Sequence, residues 1–158
     1  SSAGHFPMSR TLTNAELKLT NFGTGTDPAT SLDVSAMSTA SNRNDLIHLL
    51  WKVPQSIQID KVSILNNTDS GTSDTAEYHL MKYDFSTGAG TYGDLSNGAV
   101  LAYSNAAMTL DNTGIIHQEL TLNGTPTVGD TQVVMGFLKA NSNNGDFYAN
   151  MQVQYHLI

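Results

Sequence analysis

The clearest pattern in this chain is its last twelve residues, FYANMQVQYHLI, which alternate without a break. Phe147, Ala149, Met151, Val153, Tyr155 and Leu157 share one side of an extended strand. Tyr148, Asn150, Gln152, Gln154 and His156 share the other, and Ile158 closes the sequence. A side-chain period of two is the mark of a strand packed on one face only.

The same period recurs upstream. DLIHLLWKV predicts a buried strand ended by Pro54, which has no N–H to give to a ladder. IQIDKVSIL follows at once. In it Ile57 and Ile59 hold one phase and Val62 and Ile64 the other, so a β-bulge is expected near Asp60-Lys61. NNTDSGTSDT reads as a polar loop, AEYHLMKYDF as a strand, and STGAGTYGDLSNG as a Gly-rich turn region. GAVLAYS and NAAMTLD give weaker signals, one of strand and one of strand or helical turn. GIIHQELTL keeps Ile116, Gln118, Leu120 and Leu122 in phase. NGTPTVGD is a turn cluster. TQVVMGFLKA is apolar on both sides, with Val133, Met135 and Phe137 opposite Val134 and Leu138. NSNNGD then makes a hairpin-type connection. Seven or eight strands at this spacing predict an all-β sandwich or barrel over residues 45–158. Its buried set is expected to include Trp51, Ile57, Ile59, Leu80, Leu120, Phe137, Met151, Val153 and Tyr155.

Residues 1–44 differ. TLTNAELKL reads as a short strand or a turn of helix, and NFGTGTDPATSLDVSAMSTASNRN as a loop or extended arm. A disordered tail and an arm ordered on a partner both fit this composition. The scattered large side chains Phe6, Met8, Leu12, Leu17, Leu19, Phe22, Leu32 and Met37 favour an arm that anchors the protein to a partner.

Composition narrows the function. At 158 residues the chain is long enough for one domain with a real core. It has 15 Ser, 18 Thr and 14 Asn, but only 13% charged residues against roughly 25% in an average domain. Such hydroxyl- and amide-rich surfaces are common in extracellular and virion β-proteins. The net charge of −7, without a basic cluster, argues against binding nucleic acid or an anionic membrane surface. No apolar run reaches the ~18 residues of a membrane helix. The start SSAGHFPMSR shows no signal peptide. With no cysteine there is no disulfide, thiolate metal site or thiol nucleophile, which favours a microbial or viral source.

Candidate chemistry is sparse. His48, His79, His117 and His156 each stand alone on a strand, without the His-x-His of a cupin metal site, and each is better read as hydrogen-bonded or solvent-facing. Asp69 and Asp74 lie in a loop whose order does not fit an EF-hand. Glu16, Glu77 and Glu119 are the only glutamates. Glu119 alternates with His117, an ordinary same-face pair that general acid–base work would also accept. The nucleophile-elbow, zincin, dinucleotide and P-loop motifs are missing. Trp51 is more consistent with core packing than with a sugar platform, whereas Tyr92, Tyr103 and Tyr148 leave glycan binding open. No catalytic, cofactor-binding or metal-binding residues are expected.

The segments WKVPQSIQIDKVSIL, YHLMKYD, VGDTQVVMGFLKA and MQVQYHLI resemble, as a pattern, virion proteins of tailed bacteriophages. In these a Trp–Pro strand leads into an I-x-I-x-x-V strand, and a Gly-Asp turn and a terminal alternating strand come late. The resemblance covers residues 45–158. It implies a jelly-roll sandwich on the outer capsid surface, as a capsid decoration (cement) or head-fibre protein that docks on the major capsid protein or another virion protein. Weakly charged faces oppose self-association little, so a closed homo-oligomer, a trimer on three-fold positions, is expected. Interface candidates are Phe6, Met8, Leu12, Leu17 and Phe22 of the arm, and Asn150, Gln152 and Gln154 of the last strand. The competing readings are a carbohydrate- or receptor-binding sandwich and, third, a cupin-like metal enzyme.

Overall fold

The alternating segments are strands, paired into two antiparallel sheets packed face to face. The computed structural model describes residues 2–5, 20–21, 27–30, 51–68, 75–85, 95–104, 108–109, 114–140 and 147–158, and none of these is helical. In chain order the strands are β1 (Ser2–His5), β2 (Thr20–Asn21), β3 (Trp51–Lys52), β4 (Ile57–Thr68), β5 (Thr75–Asp84) and β6 (Ser96–Tyr103). They continue with β7 (Met108–Thr109), β8 (Ile116–Glu119), β9 (Thr121–Leu122), β10 (Thr127–Val128), β11 (Gln132–Ala140) and β12 (Phe147–Leu157).

Sheet A runs β1-β12-β4-β10, and β8 also pairs with β4. Sheet B runs β2-β11-β5-β6-β9, with β3 on β11 and β7 on β5. The β2–β11 pair alone is parallel among the described pairs. The fold is therefore all-β and a sandwich, not a barrel. The described strand segments outnumber the seven or eight expected for residues 45–158, partly because β1 and β2 lie before that span and partly because β9 and β10 are two-residue segments that carry no period of their own.

Two strands from opposite halves of the sequence form the backbone of sheet A. β12 pairs with β4 along its whole length, from Phe147↔Thr68 to Leu157↔Ile57. The register shifts once: Gln154 faces Lys61 and Tyr155 faces Ile59, which leaves Asp60 as the extra residue of a bulge. This bulge is where the change of phase in IQIDKVSIL places it. One added residue lets Ile57 and Ile59 before it and Val62 and Ile64 after it all point into the core. A regular strand would force one of these pairs into water.

The space between the sheets holds Ile57, Ile59, Val62, Ile64, Tyr78, Leu80, Leu101, Val134, Met151 and Val153, among others. Burying one such aliphatic side chain contributes roughly 1.5–3 kcal/mol. Of the expected core, Ile57, Ile59, Leu80, Leu120, Phe137, Met151 and Val153 are buried. Trp51 and Tyr155 are only partly so, packed against the core edge with ring centroids 5.3 Å apart.

Several sequence expectations need correction. NSNNGD does not join a hairpin: β11 belongs to sheet B and β12 to sheet A, so the two strands do not pair. Asn66, Asn67 and Thr68 are not loop: β4 continues through Thr68, because Asn66 is buried and its amide donates to the Tyr78 hydroxyl of the facing sheet at 2.7 Å. Ser96 and Asn97 belong to β6 rather than to the preceding turn; Asn97 adopts φ 52°, and its amide donates to Asp84. GIIHQELTL is not one strand. It leaves sheet A after Glu119 and enters sheet B at Thr121, with Leu120 N bonded to Val62 O and Asn123 N to Leu101 O. Within NAAMTLD, Met108–Thr109 form the short strand β7, and the other residues of that segment lie outside the described residues.

Candidate interaction face

The outward face of sheet A is built from the polar half of each alternation. On β12 it carries Asn150, Gln152 and Gln154. The register sets these beside Leu65, Ser63 and Lys61 of β4, and β8 adds His117 opposite Leu65 and Glu119 opposite Ser63. Gln154 is exposed, Asn150 and Gln152 are half-buried, and Ser63 is 8% exposed although it points outward. Lys61 and Glu119 form an ion pair at 3.3 Å across that row. Asp60, lifted by the bulge, meets His156 with both carboxylate oxygens, at 3.0 and 2.9 Å from Nδ1. The chain carries net charge −7, yet the charges on this face are set beside partners of opposite or neutralising kind.

The outward face of sheet B is built differently. β5 presents Met81 and Tyr83, β11 presents Val133, Met135 and Phe137, and with Leu95 these form a second buried cluster. Tyr83 and Phe137 meet with centroids 6.2 Å apart. Lying on this face is Asp27–Thr30, whose Pro28 is buried. The Tyr83 hydroxyl donates to Ala29 O at 2.7 Å, and Gly98 N donates to Thr30 O at 2.8 Å. Burial pushes the Tyr83 hydroxyl well above its usual pKa. Tyr78, in the first core, is pushed up to about 12, mainly by burial and against the opposing effect of the Asn66 hydrogen bond.

The candidate chemical residues are dispersed. His79 is buried on sheet B with Nε2 3.1 Å from Asp27 Oδ1, His117 is exposed on sheet A, and His156 is bound to Asp60. Glu77 pairs with Lys139 at 3.6 Å and Glu119 with Lys61 rather than with His117. Among the described residues no three His, Asp or Glu side chains are grouped as metal ligands. The side-chain amides of Asn97 and Gln132 hold the Asp84 carboxyl below its usual range. They close the end of sheet B, a structural task.

Of the interface candidates, Asn150, Gln152 and Gln154 share one face as the alternation requires. Phe6, Met8, Leu12, Leu17 and Phe22 lie outside the described residues, as do Leu19, Leu32 and Met37, His48, Glu16, Asp69, Asp74 and Tyr92. Trp51 packs on Tyr155 at the core edge, and Tyr103 lies near-parallel to His79 with centroids 6.5 Å apart. Sequence reasoning missed the second apolar layer and the segment lying on it. The available signal was that TQVVMGFLKA is apolar in both phases, which a strand with one wet face has no reason to be. No family model, curated protein or solved structure matches this chain.

Proposed function

We propose that this chain is a structural virion protein, a capsid decoration (cement) or head-fibre module that acts by binding rather than catalysis. The observation that carries the reading is the outer face of sheet A: it presents the amides of Asn150, Gln152 and Gln154, and its charged side chains Lys61 and Glu119 are paired, on an acidic chain. Two such faces can meet without charge repulsion and can exchange side-chain hydrogen bonds in place of water. The second support is strand order. β1-β12-β4-β8 in one sheet and β3-β11-β5-β6 in the other lay strands from the two ends of the chain side by side, which is how a jelly roll is wrapped. Capsid proteins, lectins and cupins all use that wrapping, so it favours the class without selecting within it.

On this reading the protein forms a closed homo-oligomer, a trimer, through the Asn150–Gln152–Gln154 face, and docks on the major capsid protein or another virion protein. The test is light scattering of the full chain at micromolar concentration, followed by electron cryo-microscopy of the virion that carries it. A trimer seated on the outer shell is the expected result. A monomer in both settings overturns the reading, and a monomer that binds on a glycan array replaces it with the receptor-binding alternative.

A further inference from the structure

Residues Asp27–Thr30 are tied to the outer face of sheet B at three points of two chemical kinds. Two ties are neutral: the Tyr83 hydroxyl to Ala29 O, and Gly98 N to Thr30 O. The third, His79 Nε2 to Asp27 Oδ1 at 3.1 Å, involves an imidazole, the side chain whose ordinary pKa lies nearest neutral pH. The fit beneath is tight. A Cβ on Gly98 would stand 2.6 Å from Tyr83 Cε1 and 2.8 Å from Thr30 Cα. On the sheet itself His79 has uncharged neighbours: its register partner on β11 is Phe137, and Tyr103 of β6 flanks its ring.

We propose that Asp27–Thr30 form an acid-released strap: protonating His79 favours a state in which the segment has lifted off sheet B and freed the Tyr83 hydroxyl and the Gly98 N–H that hold it. The physical reason is a balance of burial against neighbouring charge. The His79 side chain is 6% exposed, so a charged ring there has lost most of its water. Asp27 offers a compensating carboxylate, but its side chain is 63% exposed and the attraction is screened by solvent. The other charged groups facing the ring among the described residues are Glu77 on its own strand and Lys139 on β11. They pair with each other at 3.6 Å and act on the ring in opposite senses. Burial prevails and lowers the His79 pKa from its usual 6.5. The closed state thus takes up the proton less readily than a lifted state with a solvated ring. Its advantage is complete above the usual value of 6.5 and declines as pH falls through that value toward the lowered one.

Hydrogen exchange read by NMR on the full chain, with each amide corrected for its intrinsic rate, tests this between about pH 7.5 and about pH 5. Gly98 N–H, which the strap covers, should open several-fold more often at the acid end. Val153 N–H, on the opposite sheet, should not change. In His79→Gln, which keeps a donor toward Asp27 but cannot titrate, the response of Gly98 should vanish. In Asp27→Asn, which removes the compensating carboxylate, the acid response should grow. The proposal is overturned by pH-independent opening at Gly98, by a rise shared equally with Val153, by an unchanged response in His79→Gln, or by a response in Asp27→Asn no larger than that of the parent chain. Since the two variants probe opposite sides of the balance, failure of one to fold leaves the other decisive.

Discussion

The two sheets use the same strand geometry and end with opposite outer faces. On sheet A, β12 alternates strictly, so one side fills the core and the other offers Asn150, Gln152 and Gln154 to the surroundings. On sheet B, β11 places Val134 and Leu138 in the central core and Val133, Met135 and Phe137 in a second buried cluster. A strand packed on one face needs apolar residues at every second position. A strand packed on both needs them at nearly every position. The difference shows that a strand's pattern counts its packed faces, while what covers the second face is encoded elsewhere. Here the described segment on that face is Asp27–Thr30, held by Tyr83 and Gly98 and about a hundred residues upstream of β11 in the numbering.

The strongest way to break this comparison is to truncate matched positions. Phe137→Ala, on the outer face of sheet B, should cost about 3–5 kcal/mol, as expected for deleting a buried aromatic ring. Gln152→Ala, on the outer face of sheet A, should stay within about 0.5 kcal/mol, as a surface change does. Denaturant titration measures both. Similar losses at the two sites would mean that sheet B has no second core.

A smaller effect isolates the strap from the sheet beneath it. Gly98→Ala inserts a methyl group where Tyr83 and the Thr30 backbone already stand, and overpacking of this kind costs about 1–3 kcal/mol. Gly129→Ala is the control, because the nearest atom to its added Cβ is the flexible end of Gln132 at 3.7 Å. It should be neutral or stabilising by up to about 1 kcal/mol. If Gly98→Ala were equally neutral, Thr30 would not be held against β6.

Between the sheets, the Asn66–Tyr78 hydrogen bond joins the two halves of the sandwich through its core. Tyr78→Phe removes the acceptor of the Asn66 amide and should cost about 1–2 kcal/mol, within the range for a buried donor deprived of a partner. A loss below about 0.5 kcal/mol would show that the amide had turned to another acceptor at little cost.

How much of this was legible follows from the range of each signal. The alternation of β12 and the bulge in β4 were legible because each is written within a single strand: β12 keeps one phase throughout, β4 changes phase once, and a bulge is the local device that absorbs such a change. The corner at Leu120 was not. Its side chains keep phase while the chain changes partners, from Val62 O on one sheet to Leu101 O on the other, and phase carries no record of the partner. Asn66 looked like loop because Asn-Asn in isolation prefers turns. Its hydrogen bond to a tyrosine on the facing sheet overrides that preference, and nothing local announces it. The His79–Asp27 pair was hidden for the same reason, being 52 residues apart in sequence. The outer face of sheet A was legible as a face, and its partner was not, because amides accept water and protein alike.

The least destabilising substitutions are the most informative about that face. Gln152→Glu with Gln154→Glu places two carboxylates on β12 beside Ser63 and Lys61 without altering any core residue. For an isolated chain the cost should be small, within about 0.5 kcal/mol at each site, and Lys61 next to the new charge at position 154 offsets part of it. Across a symmetric interface the same charges would be multiplied by the number of copies, brought close together and stripped of water, where like charges cost far more than at a wet surface. If the proposed oligomer forms through this face, light scattering should therefore report its dissociation while circular dichroism and the unfolding midpoint stay as they were. If the doubly charged protein assembles as the parent does, the amide face looks into solvent and the contact between copies lies elsewhere. If it dissociates and also unfolds at lower denaturant, assembly and folding are one transition, and the sandwich depends on its neighbours for stability.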